Sequence, residues 1–211
     1  MMPYSEMALV DLLDAFASNE PVPGGGSASA LAGSLGVSLL VMVAGNPKTR
    51  TGAPEEAADL SEASSRLRPL RDALTVLIDD DSAAYSAVLE AMRLPKDTAE
   101  QKTSRSQAIG VAMQRATEVP LETMRHCQQA LRGAIVIARA GNPNAATDTT
   151  TGVELLRAGL RSASMNVDVN LRSLTDAGLA SRIRTERDEL LEEGETDARA
   201  ALEAALSERR T

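Results

Sequence analysis

The chain has 211 residues, a net charge of -8 and three aromatic residues, Tyr4, Phe16 and Tyr85. That length suits one domain with a full core across residues 1–211. The acidic balance and scarce aromatics argue against nucleic-acid binding, which needs a basic face for phosphates and stacking platforms for unpaired bases.

Single copies of cysteine and histidine, Cys127 and His126, exclude an intrachain disulfide and a zinc site built from several such ligands. Metal-free chemistry is therefore expected. No basic, apolar and small-residue leader opens the chain, which points to the cytoplasm.

With 35 alanines and no long alternation of apolar and polar residues, the chain favours helix nearly everywhere. An all-α fold is predicted, a compact bundle of about six to seven helices. The first helix is expected from Ser5, as its N-cap, to about Ala17, with Pro21 and Pro23 beyond it. The second, over 27–44, has no charged residue and reads as a buried central helix rich in Ala and Gly. Its length also fits a membrane span, but its serines and glycines dilute it, and burial in a bundle or at a dimer interface explains it better.

A third stretch covers 54–94, where Pro69 should kink or divide it. Asp97 or Thr98 then starts a segment that meets Pro120, and another helix follows over 121–140, stopped by Gly141. The last two helices are expected over 145–174 and 180–209. The second of these is charged and lies on the surface, with Leu190, Leu191, Leu202 and Leu206 on its apolar positions and residues 207–211 frayed.

Several segments carry groups capable of chemistry. Gly24, Gly25, Gly26 and Ser27 precede the uncharged helix, where free backbone N–H groups attract an anion; a flexible turn is the plainer explanation. In Asp79-Asp80-Asp81-Ser82, successive carboxylates point about 100° apart, so one or two can face inward while the others are solvated. Asp81 shares a face with Tyr85. Gly45-Asn46-Pro47 and Gly141-Asn142-Pro143 each read as a helix stop, although Asn144, Thr147 and Asp148 cluster after the second. Asn166 and Asn170 lie on one face of an apolar helix, suited either to bonding a neighbouring backbone or to reading a heterocycle. His126 and Cys127 read as structural or surface residues.

Together these segments resemble the formiminotransferase-cyclodeaminase family, specifically its cyclodeaminase domain and the related stand-alone methenyltetrahydrofolate cyclohydrolases. The resemblance rests on Pro21-Val22-Pro23-Gly24-Gly25-Gly26-Ser27, Asp80-Asp81 with Ala84-Tyr85, Leu94-Pro95-Lys96, Val119-Pro120-Leu121, Gly141-Asn142-Pro143-Asn144 through Asp148, and Asn166 to Asn170. It covers most of the chain. Where family members commonly carry a Gly-Lys-Lys-Tyr type segment, residues 47–52 read Pro-Lys-Thr-Arg-Thr-Gly, and Thr147-Asp148 replaces a Ser-Asp pair.

The resemblance implies a homodimer, a tetrahydrofolate derivative as substrate and no tightly bound cofactor. It makes Asp81 and Lys96 the catalytic candidates. Gly24, Gly25, Gly26, Ser27, Asn46, Arg105, Asn142, Asn144, Asp148, Asn166 and Asn170 become candidates for holding the folate. The first expectation is cyclodeamination of 5-formimino-tetrahydrofolate to the 5,10-methenyl form with loss of ammonia. The alternatives are hydrolysis of the methenyl form to 10-formyl-tetrahydrofolate, or a helical module that binds folate without catalysis.

Overall fold

The helix preference of an alanine-rich chain is realised throughout the computed structural model, which describes residues 2–47 and 54–207. Six helices follow in order: α1 (Leu9–Ala17), α2 (Gly25–Ala44), α3 (Pro54–Arg93), α4 (Ala99–Ala140), α5 (Ala146–Leu171) and α6 (Ala177–Ser207). Short 3-10 turns cover Tyr4–Glu6 and Pro143–Ala145. Among the described residues there is no β-sheet, only an isolated bridge between Pro47 and Gly141. The 48–52 segment and residues 208–211, for which fraying was expected, lie outside the described residues.

α2 is the core helix, packed on α3, α4 and α5. It is long and apolar enough to cross a membrane, with a mean hydropathy of 1.8. Here its serines close their hydrogen bonds inside the bundle: Ser29 Oγ donates to the Gly25 carbonyl at 2.6 Å, and the hydroxyls of Ser34 and Thr75 meet at 2.8 Å. α2 and α5 run antiparallel at close range, because Gly36 and Gly152 face each other. A Cβ on Gly36 would come within 2.7 Å of the Gly152 carbonyl oxygen, which only a helix pair without side chains at that crossing avoids.

The structure corrects several expected boundaries. α1 begins at Leu9 behind Ala8, not at Ser5, whose backbone and hydroxyl are engaged by Asp79 instead. α3 and α4 each continue through their internal proline. Proline removes one helical hydrogen bond and orphans the carbonyl four residues earlier. At Pro120 that carbonyl belongs to Ala116, and the Asn170 amide of α5 donates to it at 2.7 Å. At Pro69 the corresponding residue, Ser65, is exposed, so water can serve its carbonyl.

α6 does lie on the outside, and Leu190, Leu191 and Leu202 pack partly buried against the core as expected, but its fully buried seam is made mostly of small residues. Ala180, Ile183, Gly194, Ala198, Ala201 and Ala205 are buried, while Leu206 is half exposed. Small residues let α6 approach α4 and α5 closely, and ion pairs from Arg125 to Glu186 and from Arg157 to Glu195 flank the seam. Such partly exposed pairs set orientation more than stability.

Candidate functional site

Three consecutive aspartates on α3 each find a different partner, which is what a 100° step per residue allows on a helix surrounded on three sides. Asp79 accepts from the Tyr4 backbone N–H at 2.6 Å and from Ser5, so it anchors the N-terminal turn. Asp80 takes a 2.8 Å ion pair from Arg115 of α4, which also reaches Glu122. Asp81 faces the first turn of α2. The expectation that the outer aspartates are merely solvated is thereby corrected, since both hold neighbouring elements in place.

At Asp81 the α2 terminus supplies the partners. Gly24 is the N-cap, so the N–H groups of Gly25, Gly26 and Ser27 have no acceptor within the helix. Ser27 N–H donates to Asp81 Oδ2 at 2.9 Å, and Ser27 Oγ lies 3.2 Å from the same oxygen. Gly26 allows this approach: a Cβ there would fall on the carboxylate itself. Burial raises the Asp81 pKa above the ordinary carboxylate value, against the Ser27 side-chain and backbone hydrogen bonds that lower it. A partly buried carboxyl held by such donors is a candidate for proton exchange.

Asn166 of α5 borders the same terminus, its Nδ2 at van der Waals distance from where a Gly25 side chain would begin. Its amide donates back to the Ser162 carbonyl at 3.0 Å, which leaves its oxygen for other contacts. Asn170, one turn on, donates its amide N–H to the Ala116 carbonyl across the α4–α5 contact.

The other predicted residues do not lie beside Asp81. Lys96 lies beyond the end of α3, and the twelve residues from Asp81 to Arg93 rise roughly 18 Å along the helix. Arg105 sits at the same tip, where its guanidinium donates to the Met92 carbonyl at 2.9 and 3.2 Å. Asn46, Asn142, Asn144 and Asp148 gather at the opposite end of α2, about 30 Å from Gly25 by helix rise. There the two Gly-Asn-Pro segments pair with each other: Asn142 N–H donates to the Asn46 carbonyl at 3.0 Å, beside the Pro47–Gly141 bridge. The Asn142 side chain accepts from Asn144 N–H at 2.9 Å, and Asp148 stands in the first turn of α5.

Two residues near Asp81 had escaped selection from sequence. Ser82 is buried with its hydroxyl 3.0 Å from Ser27 Oγ, and Arg115 holds Asp80. Ser82 lies four residues after Ile78, whose carbonyl also meets Ser27, so helical spacing was the available signal. Cys127 is fully buried and its thiol is pushed up to about 12, which makes it a packing residue. Burial lowers the His126 pKa. Among the described residues no group of three or more His, Cys, Asp or Glu side chains is arranged to hold a metal ion.

A family model described as formiminotransferase-cyclodeaminase matches residues 8–189. A methenyltetrahydrofolate cyclohydrolase of Methylorubrum extorquens is 39% identical over 181 residues, covering 86% of this chain and 87% of that one. The formimidoyltransferase-cyclodeaminase of Sus scrofa is 33% identical over 193 residues, and the match spans 88% of this chain but 34% of that longer protein. The crystal structure of a formiminotetrahydrofolate cyclodeaminase from Thermotoga maritima has the same fold, with a TM-score of 0.78 at 23% identity, covering 95% of this chain and 94% of that one. On the family model and on this nearly end-to-end identity, the chain belongs to the formiminotransferase-cyclodeaminase family.

Proposed function

We propose that the protein is a folate-dependent one-carbon enzyme that hydrolyses 5,10-methenyl-tetrahydrofolate to the 10-formyl compound. One observation carries the choice of reaction: 39% identity along nearly the whole length of both chains to a stand-alone cyclohydrolase. It reverses the order expected from sequence, where cyclodeamination stood first. The longer cyclodeaminase relatives are matched over about a third of their length.

The chemistry asks little beyond a well-placed carboxylate. The methenyl carbon lies between two nitrogens and carries positive charge, which the Asp81 carboxylate offsets. Water adds to that carbon, and one of its protons passes to Asp81. As the bond from carbon to N5 breaks, Asp81 returns the proton to N5, and the remaining hydroxyl proton leaves to solvent as the formyl C=O forms on N10. One water is consumed and one proton released, with no electron transfer. Asp81 is thus ionised and protonated in turn, a cycle that its raised pKa favours.

The absorbance of the methenyl compound tests this. Purified protein should accelerate its loss well beyond the spontaneous rate and produce the 10-formyl compound. Formation of methenyl-tetrahydrofolate from the 5-formimino compound with ammonia release would instead make cyclodeamination the activity. Binding without turnover of either substrate would leave a folate-binding module.

The proposal includes a homodimer. α2 leaves Ala28, Leu35 and Met42 exposed along one stripe, with Leu31, Ala32 and Leu39 half-buried beside them. The candidate folate contacts other than Arg105 stand at the two ends of that stripe, and a two-fold axis near its middle brings the partner's Asn46 end toward Asp81. Sedimentation at micromolar concentration should give twice the chain mass; a monomer that turns over normally would remove this part.

A further inference from the structure

Two buried hydroxyls lie beneath Asp81, and they have fewer protons than acceptors. Ser27 Oγ is 2.8 Å from the Ile78 carbonyl oxygen, 3.2 Å from Asp81 Oδ2 and 3.0 Å from Ser82 Oγ. A hydroxyl donates once and accepts twice. With Ser27 0% and Ser82 5% exposed, the hydrogen bonds have to close among these groups.

They close in both protonation states of the carboxyl. When Asp81 is ionised, Ser27 donates to Oδ2 and Ser82 donates into Ser27. When Asp81 is protonated, it donates to Ser27 Oγ, and Ser27 turns its own proton to the Ile78 carbonyl while still accepting from Ser82. One rotation of the Ser27 hydroxyl separates the two arrangements, and the Ser82 donation is common to both.

We infer that Ser82 is a positioning residue for the reaction, acting through Ser27 to hold that hydroxyl where a single rotation serves Asp81 as both acid and base. This rests on the role proposed above for Asp81. Charges from the surrounding helices do not supply the same control. α2 has no charged side chain, Asp80 of α3 and Arg115 of α4 are paired with each other, and on α5 Asn166 is neutral while Asp168 is held by Arg187 of α6. Tyr85, one turn along α3, is exposed.

Removing the Ser82 hydroxyl weakens Ser27 as a donor, and an ionised carboxylate loses more by this than a neutral acid does. In Ser82→Ala, the acid limb of the kcat/KM profile should therefore move upward by about half a pH unit, and Ser82→Thr, which keeps a hydroxyl, should restore it. A carbon-13 titration of the Asp81 carboxyl in the substrate-free protein, assigned by its loss in Asp81→Asn, should move the same way. Because it needs no turnover, the titration tests the hydroxyl link even where the proposed reaction fails.

An unshifted Asp81 titration in folded Ser82→Ala overturns the inference, as does a Ser82→Thr protein shifted as far as the alanine variant. Should Ser82→Ala not fold, Ser82→Cys offers a weak donor of similar size. It should shift the titration in the same direction by less, and no shift there is equally fatal.

Discussion

Asp81→Asn should lose about two to four orders of magnitude in turnover, the usual worth of a placed acid-base group, while the folded protein becomes no less stable at neutral pH. The amide keeps the local geometry. With its oxygen in the place of Oδ2, it can accept from both Ser27 N–H and Ser27 Oγ, which stand 2.9 and 3.2 Å from that one carboxylate oxygen. What it cannot do is take and return a proton or offset a cationic carbon.

The stability half of this prediction follows from the direction of the pKa shift. Burial raises the Asp81 pKa in the folded state, despite the two lowering bonds from Ser27. A carboxyl shifted this way contributes its full stability below the unfolded value, near 3.8, and loses it as pH rises through the folded value. At pH 7, above the unfolded value, burying this carboxyl is then a net cost to folding, which the neutral amide removes. Thermal melts of both proteins from pH 4 to pH 8 should show the variant gaining on the parent as pH rises. Normal turnover in Asp81→Asn would end its catalytic assignment, and an unfolded variant at pH 7 would make Asp81 a structural carboxylate.

The same neighbourhood shows how far sequence could be read. Helix content was legible because alanine favours helix without tertiary help. The continuity of α4 was not, because Pro120 carries a local cost that is offset from Asn170, 54 residues from the Ala116 carbonyl it bonds. The aspartate run was legible as three directions on one helix. Their targets were not, since they come from Tyr4, Arg115 and Ser27, each on a different element.

The candidate site was legible only in part, and through resemblance more than spacing. Gly24 to Ser27, Asp81 and Asn166 do converge, yet nothing in residue order says that α5 returns antiparallel along α2. That return carries Asn142, Asn144 and Asp148 to the far end, beside Asn46. Gly36, Gly152 and Gly159 hold the relevant signal, since glycines on two uncharged helix faces permit such an approach, but a single chain does not reveal which helices they join.

Gly26→Ala is the second large effect expected. Alanine usually stabilises a helix by about 1 kcal/mol over glycine, so propensity alone predicts a gain. Here the new methyl would occupy the space of the Asp81 carboxyl group. Because neither the buried first turn of α2 nor the long helix α3 yields easily, overpacking should cost about 1–3 kcal/mol and win. The carboxylate must then leave the Ser27 N–H, and a displacement of about 1 Å at the reacting groups is enough for a roughly hundredfold loss of kcat/KM. Two further variants separate this collision from a general intolerance of alanine in the first turn. Gly25→Ala should fold normally, since its nearest new neighbour is Asn166 Nδ2 at 3.9 Å. In the double variant Gly26→Ala with Asp81→Ala, the space is vacated and the melting temperature should recover, while activity stays lost because the acid-base group is gone. A double variant as unstable as Gly26→Ala alone would place the strain elsewhere in the turn.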